Sequence, residues 1–123
     1  MPVRELLLRP EVLSGFPETG KYRWLELYDK TNVYGYSAIA EHEDMLELHV
    51  TLVQWGKCVR QSLEQDVTWL KGEALRLGKR RIMGIRANDQ GQFDGRLFKF
   101  AGLFGFTEMH TVQTATLRVD SEE

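Results

Sequence analysis

Few side chains in this sequence can do acid–base chemistry, and two of them lie close together. Glu47 and His49 are two residues apart in the segment MLELHVTLVQ, residues 45–54. In a β-strand both would lie on one face, because side chains alternate along a strand. A histidine beside a carboxylate can act as a general base with an orienting partner, and Glu43 is another carboxylate nearby. Alternatively, this polar face is simply solvated, as one face of an antiparallel sheet often is.

The single cysteine offers a different chemistry. Cys58 lies beside Lys57 and Arg60, a setting in which a thiol can serve as a nucleophile, but no histidine is near it in sequence. A buried or merely tolerated cysteine is the alternative. One cysteine excludes an intramolecular disulfide, and with three histidines it gives too few ligands for the usual structural zinc arrays. We therefore predict no metal site and a reducing, cytoplasmic location.

Length and composition predict one domain over residues 1–123. A chain of 123 residues, 42% of them hydrophobic, can bury a core without disulfides or metals. No stretch approaches the roughly 20 apolar residues of a spanning helix, and the charged, proline-containing start does not resemble a signal peptide. No membrane association is expected.

The elements that carry Glu47 and His49 are predicted to be strands. All three prolines fall in residues 1–20, which we expect to be irregular apart from one short helical or extended piece within 4–13. Strand-like runs follow at 22–28, 33–40 and 45–54, separated by polar turns. Three consecutive strands with short connections favour an antiparallel meander.

A long helix should follow the meander. Its apolar stripe has steps of three and four residues and ends at Gly78, which suits a helix C-terminus. The stripe consists of Val59, Leu63, Val67, Leu70, Ala74 and Leu77. Residues 81–86 then read as a short strand, parallel to 45–54 because a helix crosses over between them.

The remainder predicts a second helix and one or two final strands. Asp94 is a possible N-cap and Gly105 a possible end of this helix. Its inward residues would be Leu97, Phe100, Ala101 and Phe104. A last strand at 115–119 and a frayed acidic tail at 120–123 complete the chain.

Charge is concentrated in the middle of the sequence, where residues 57–99 carry ten basic and five acidic side chains. Such a segment can bind a phosphorylated ligand or nucleic acid. The stronger alternative is a solvated helix face with cations near the helix C-terminus. The basic residues concerned are Lys57, Arg60, Lys71, Arg76, Lys79, Arg80 and Arg81.

The order of elements resembles the GCN5-related N-acetyltransferase (GNAT) fold over residues 22–119. Leu103–Phe106 (LFGF) looks like the Gly-Phe ending of that family's penultimate helix. Residues 33–36 (VYGY) look like its central strand, and 74–85 (ALRLGKRRIMGI) like its passage from long helix to next strand. The resemblance implies an α/β (α+β) fold with a mixed sheet, in which an antiparallel meander is followed by helix, strand, helix and strand.

The family's cofactor loop does not carry over. Its pattern Gln/Arg-x-x-Gly-x-Gly/Ala, which closes on the pyrophosphate of acetyl-CoA, falls on Cys58, Gln61 and Leu63, inside the helical stripe. A different anion site could use Gly56, Lys57 and Arg60, with the strand edge 50–53, including Val53, against the cofactor. Alternatively, Gly56 only lets the strand turn into the helix.

Other family features are also absent. The place of its tyrosine acid falls on Ala101, which cannot donate a proton. Only about twenty residues precede the strand at 22–28, where the family places a strand and two acceptor-binding helices. The acceptor site is therefore truncated or completed by another chain.

Two functions follow from the resemblance. The first is an accessory or virion-associated protein, similar to acetyltransferase-like proteins of tailed bacteriophages, without standard acetyl transfer. It would act in the host cytoplasm or the virion by binding a protein partner or a second copy. The alternative is an acetyl-CoA-dependent N-acetyltransferase with a non-standard cofactor loop. Aromatic residues that could form a partner surface, or instead the core, are Tyr22, Trp24, Tyr28, Tyr34, Tyr36 and Trp55.

Overall fold

A computed structural model describes residues 3–30, 32–85, 96–109, 115 and 117–119. The chain divides into two compact units, Met1–Ala87 and Asn88–Glu123, which are described separately below. The single domain predicted for residues 1–123 stays a prediction. No helix among the described residues is long and apolar enough to cross a membrane.

The first unit is one five-stranded sheet with a long helix. Its elements in chain order are β1 (Val3–Leu6), a 3₁₀ turn (Glu11–Leu13), β2 (Tyr22–Asp29), β3 (Asn32–Glu41), β4 (Met45–Leu52), α1 (Lys57–Arg76) and β5 (Arg81–Gly84). The strands lie in the order β1-β2-β3-β4-β5. Neighbours among β1 to β4 are antiparallel, whereas β4 and β5 are parallel. The predicted mixed α/β class, the meander and the parallel crossover are confirmed.

The short piece expected within 4–13 overlaps β1, which forms a regular edge strand paired with β2. Charged side chains reinforce the pairing across the two strands. Arg4 pairs with Glu26 on one face of the sheet, and Arg23 pairs with Glu5 on the other. Four residues with two central charges lack the apolar alternation that marks a strand in sequence.

The main core lies between the sheet and α1. The predicted helical stripe is confirmed, since Leu63, Leu70 and Ala74 are buried and the other stripe residues are half-buried. They face buried residues of the sheet, namely Leu25, Leu27, Ile39, Leu46 and Leu48. Burying each large aliphatic side chain contributes about 1.5–3 kcal/mol.

The helix ends as predicted at Gly78, whose φ of +74° is readily adopted by glycine. The N–H groups of Gly78 and Lys79 donate to the carbonyls of Leu75 and Ala74, at 3.1 and 2.8 Å. This pair of bonds is a Schellman motif, which satisfies carbonyls at the helix end.

The opposite face of the sheet carries a smaller cluster. Leu13, Trp24 and Ala38 are buried there, and Leu6, Phe16, Tyr22 and Tyr36 pack against them. Two aromatic residues proposed for a partner surface are therefore not on the surface. Trp24 is 8% exposed in this cluster, and Tyr34 is 1% exposed beneath α1.

A β-bulge places Tyr34 beneath the helix. Gly35 pairs with Leu27 and Val33 with Tyr28, so Tyr34 is an extra residue in β3. Its hydroxyl donates to the buried carboxylate of Asp66 in α1. Such an insertion re-aims a side chain that regular alternation would send to the other face.

Gly35 lies where β3 and β4 approach closely, and Gly35→Ala is expected to destabilise the protein by roughly 1–3 kcal/mol. An added β-carbon would lie 3.0 Å from the Thr51 carbonyl oxygen, and backbone cannot move aside cheaply. Urea unfolding measures the difference. Gly72→Ala is the control. Gly72 lies on the exposed side of α1, and an added β-carbon there would meet no atom within 4 Å. Alanine should therefore stabilise the helix by about 0.5–1 kcal/mol. An unchanged midpoint for Gly35→Ala would contradict the crowding.

The second unit contains α2 (Arg96–Gly102). Gly105 has a φ of +89°, and the Phe106 N–H donates to the Ala101 carbonyl at 3.2 Å, which closes the predicted helix end. The rings of Phe100 and Phe104 pack with centroids 5.2 Å apart. The predicted N-cap Asp94 lies outside the described residues. The last strand predicted at 115–119 is not found, since residues 115 and 117–119, like residues 103–109, form no strand.

Candidate functional site

The structure brings Glu47 and His49 together on the face of β4 that points away from α1. Their register partners in β3 are Ala40 and Ala38. These small side chains leave room for a carboxylate and an imidazole on the pleated surface. The side chain of Glu47 is only 9% exposed and that of His49 16%, so this face is not merely solvated.

Glu47 is held by four neighbours. Its Oε1 lies 2.6 Å from Nε2 of His42, and its Oε2 is hydrogen-bonded to Nε2 of His49. The Tyr22 hydroxyl donates to Oε2 at 3.3 Å, and the Lys21 ammonium lies 3.9 Å from Oε1. One buried carboxylate thus bridges two imidazole rings.

The electrostatics keep Glu47 ionised. Burial by itself would raise the pKa of Glu47, but hydrogen bonds from His49 and His42, with the charges of His49 and Lys21, hold that pKa below its usual range. Burial first, and then the charge of Glu47, raises the pKa of Tyr22. An ionised carboxylate only accepts hydrogen bonds, so each neutral histidine must present Nε2–H to it. The basic lone pair of His49 is then on Nδ1.

An aromatic residue from the β1–β2 connection covers His49. The Phe16 ring lies 4.8 Å from the imidazole centroid and 5.4 Å from the Tyr22 ring. The Phe16 carbonyl accepts a hydrogen bond from Arg9 at 2.5 Å, and Arg9 also pairs with Glu18 at 2.8 Å. Residues 7–21, which connect β1 and β2 and are all described, contain one 3₁₀ turn and no α-helix. This connection occupies the place where the resemblance implies two helices.

Sequence reasoning missed His42 in this cluster. His42 lies in the polar turn between β3 and β4, and this turn folds it back onto Glu47. Glu43, the other carboxylate considered, is exposed in that turn. The spacing of five residues between His42 and Glu47 gives no signal until the turn geometry is known.

Next to this cluster the described pairing between β4 and β5 ends. Their ladder ends at Leu48 and Gly84, after which the Ile85 N–H donates to the Leu48 carbonyl at 3.1 Å. From His49 to Leu52, β4 pairs with β3 alone within residues 3–85 as described. Its other edge therefore presents backbone groups immediately beside His49.

The four residues predicted to contact a cofactor, Val53, Gly56, Lys57 and Arg60, lie where β4 gives way to α1. Gly56 is the helix N-cap and provides no side-chain cap. The Arg60 N–H donates to the Gly56 carbonyl, so the preceding first-turn N–H groups have no acceptor within the helix. Cys58 is exposed in this turn.

The backbone does not require glycine at position 56. Its φ of 160° and ψ of 179° are extended, and an added β-carbon would meet no atom within 4 Å. The interpretation that Gly56 serves only to turn the chain is therefore not supported by its conformation. Cys58, Gln61 and Leu63, the positions on which the glycine pattern of the resembled family falls, all lie in α1.

Several residues of the basic segment are ion-paired. Arg76 pairs with Glu73 at 2.7 Å, Lys79 with Glu41 at 3.4 Å, and Arg81 with Asp44 at 3.3 Å. Over the described part of the chain, no group of three or more histidine, cysteine, aspartate or glutamate side chains could hold a metal ion.

Comparison with known proteins gives structural likeness without sequence likeness. No family model and no curated protein matches the sequence. YycN of Bacillus subtilis, assigned as an acetyltransferase, has a TM-score of 0.55 and 21% identity over 81% of this chain. The chain spans 64% of the length of YycN.

Two further solved structures resemble the chain. The aminoglycoside acetyltransferase meta-AAC0020, from an uncultured soil metagenomic sample and bound to sisomicin, has a TM-score of 0.61 and 10% identity. The match covers 94% of this chain and 77% of the meta-AAC0020 chain. An assigned acetyltransferase of Pyrococcus furiosus has a TM-score of 0.55 and 12% identity. The match covers 87% of this chain and 71% of the Pyrococcus chain. At these identities the likeness establishes the fold, and the fold of this chain is that of the GNAT acetyltransferases.

Proposed function

We propose that this protein is an N-acyltransferase that moves an acyl group, typically acetyl, from an acyl-CoA thioester to an amine. This is the second of the two functions that the sequence suggested. The observation that carries the proposal is the bridge of Glu47 between two histidines, beside the described end of the β4–β5 ladder. A solvated sheet face gives no reason to bury a carboxylate against two imidazoles.

The proposed roles of the side chains follow from the tautomers. An amine acceptor arrives as an ammonium ion and must lose a proton before it can attack. Nδ1 of His49 takes that proton, and Glu47 stabilises the resulting imidazolium through Nε2–H. Phe16 shields the imidazole from water and so strengthens its interaction with the carboxylate.

The proposed binding site for the acyl-CoA donor lies beside this base. The edge of β4 at 49–52, which has no strand partner on that side among residues 3–85 as described, offers backbone groups to the amide-containing arm. The first-turn N–H groups of α1, with Lys57 and Arg60, offer an anion site for the pyrophosphate. A bound acyl-CoA supplies the activated acyl group and a thiolate leaving group. Because a thiol ionises near pH 8.5, thiolate departure does not need the acid that Ala101 lacks.

A second candidate is the interaction role, that of an accessory or virion-associated protein in the cytoplasm or a virion. It is supported by Leu7 and Leu8, which follow edge strand β1 and are 98% and 79% exposed. Exposed leucines beside an unpaired strand edge suit a protein partner or a second copy. The burial of Trp24 and Tyr34 removes two of the aromatic residues that this role would use.

Thermal unfolding with and without coenzyme A separates the two functions. At one hundred times the dissociation constant, a ligand specific to the folded state stabilises it by about 2.7 kcal/mol, so we expect Tm to rise by several degrees. Gly56→Ala adds a methyl group at the N-cap of α1, where the pyrophosphate is proposed to bind, and should lose most of this rise. Because alanine is a poorer N-cap than glycine, the free variant should be somewhat less stable, and its rise is measured from its own Tm. Gly72→Ala is the matched control and should keep the rise. No rise at millimolar coenzyme A would favour the interaction role.

A further inference from the structure

We infer that His42 is a positioning residue, held in place by Lys79, which fixes the orientation of Glu47 and through it the tautomer of His49. This inference rests on the proposed acyl transfer, and it assigns a part in it to the β3–β4 turn. Three contacts carry it, from Lys79 to His42, from His42 to Glu47, and from Glu47 to His49.

The first step concerns the carboxylate. The terminal torsion of a glutamate is broad, so a carboxylate bound at one oxygen only can still turn. In this protein His42 binds Oε1 and His49 binds Oε2 from opposite sides. Because both oxygens are engaged, Oε2 stays directed at Nε2 of His49.

The second step concerns His42 itself. Its backbone N–H donates to the Met45 carbonyl at 2.8 Å, which closes the turn. Its carbonyl accepts a hydrogen bond from the Lys79 ammonium at 2.6 Å, and Lys79 also pairs with Glu41. The Lys79 side chain is only 11% exposed, so water competes weakly for these contacts.

The third step is electrostatic. The charged or titratable groups facing Glu47 are Lys21, Tyr22, His42 and His49. Lys21 lies 3.9 Å from Oε1, too far for a hydrogen bond, whereas His42 is within hydrogen-bond distance of the same oxygen. Loss of His42 therefore leaves Oε1 buried with only a distant cation.

Four variants of the full chain test this role. We expect His42→Ala to raise the pKa of the Glu47 carboxyl, read by carbon-13 NMR, and to lower kcat roughly 10- to 100-fold with KM little changed. His42→Gln keeps an N–H donor and should retain most of both properties. Lys79→Met should move both in the same direction as His42→Ala, and Lys79→Arg should restore them.

A merely structural role of the turn would lower Tm without moving the pKa of Glu47, and that result would overturn the inference. Equal effects of His42→Ala and His42→Gln on that pKa would overturn it as well. The NMR measurement does not depend on activity. If the wild-type protein transfers no acyl group, the proposed function fails, whereas the positioning of Glu47 by His42 and Lys79 is still decided by its titration.

Discussion

Replacement of His49 by glutamine is expected to lower kcat for acyl transfer by roughly 10²- to 10⁴-fold at neutral pH. Glutamine can still donate an N–H to Glu47, so the bridge keeps its shape, but it has no atom that takes up a proton in this pH range. Release of free thiol from acetyl-CoA with a primary amine as acceptor measures the effect. The same substitution at His42 should cost far less, because His42 does not touch the acceptor.

The pH dependence makes this expectation specific. A primary amine loses its own proton near pH 10, so the need for a base falls as the pH rises. The wild-type and His49→Gln rates should therefore converge towards pH 10. A loss that stays constant from pH 7 to 10 would contradict a base role for His49. An unchanged rise in Tm with coenzyme A would show that donor binding is intact.

The second large effect is expected at Asp66, which is 3% exposed beneath α1. Burial, only partly offset by the hydrogen bond from Tyr34, raises the pKa of Asp66 from 3.8 to about 6. The second oxygen of this carboxylate, Oδ1, has no hydrogen-bond partner among the described residues. A folded-state pKa above the unfolded value means that folding is favoured by protonation. The contribution of Asp66 is therefore fully present below pH 4 and is lost as the pH rises through about 6.

The difference between a pKa of 3.8 and one of about 6 corresponds to about 3 kcal/mol in the free energy of unfolding. At pH 7.5 we therefore expect Asp66→Asn to be more stable than the wild type by up to about 3 kcal/mol, with no gain at pH 4. Asparagine still accepts from Tyr34 and carries no charge. Urea unfolding from pH 4 to 8 measures the difference. Glu73, whose pKa is lowered to about 2 mainly by the hydrogen bond from Arg76, loses its stabilising contribution below about pH 4.5. This loss is the same in both proteins and cancels in the difference between them.

Destabilisation by Asp66→Asn at pH 7.5 would contradict this account, because it would mean that the charge itself holds α1. Tyr34→Phe is the companion variant, since it removes the hydroxyl that partly offsets the burial of Asp66. It should steepen the loss of stability between pH 4 and 8.

Regular periodicity made much of the first unit predictable from sequence. Apolar and polar residues alternate along β4, and this alternation assigned Leu46 and Leu48 to the core and placed Glu47 with His49. The apolar stripe of α1 likewise predicted that the positions matching the family's glycine loop are helical, and α1 does begin before them, at Lys57. Both patterns are local, and tertiary contacts reinforce them.

The parts that were not predicted depend on contacts between distant residues. Strand β1 exists because β2 lies beside it, and its four residues carry no pattern of their own. The pairing of Tyr34 with Asp66 requires a bulge, which depends on the register of β2 and β3. His42 reaches Glu47 from a turn whose carbonyl is bound by Lys79, a residue that follows the C-terminal end of α1.

The Schellman end of α1 also links folding to chemistry. Lys79 closes the helix with its backbone and holds the carbonyl of His42 with its side chain. The three side chains that hydrogen-bond to Glu47, those of Tyr22, His42 and His49, lie in the meander and its turn. Under the proposed positioning role, their arrangement depends on a residue that reaches the turn only once the crossover helix has docked. A partly folded molecule with its antiparallel strands intact but α1 detached would therefore be inactive, so activity would measure the docking of α1 on the sheet.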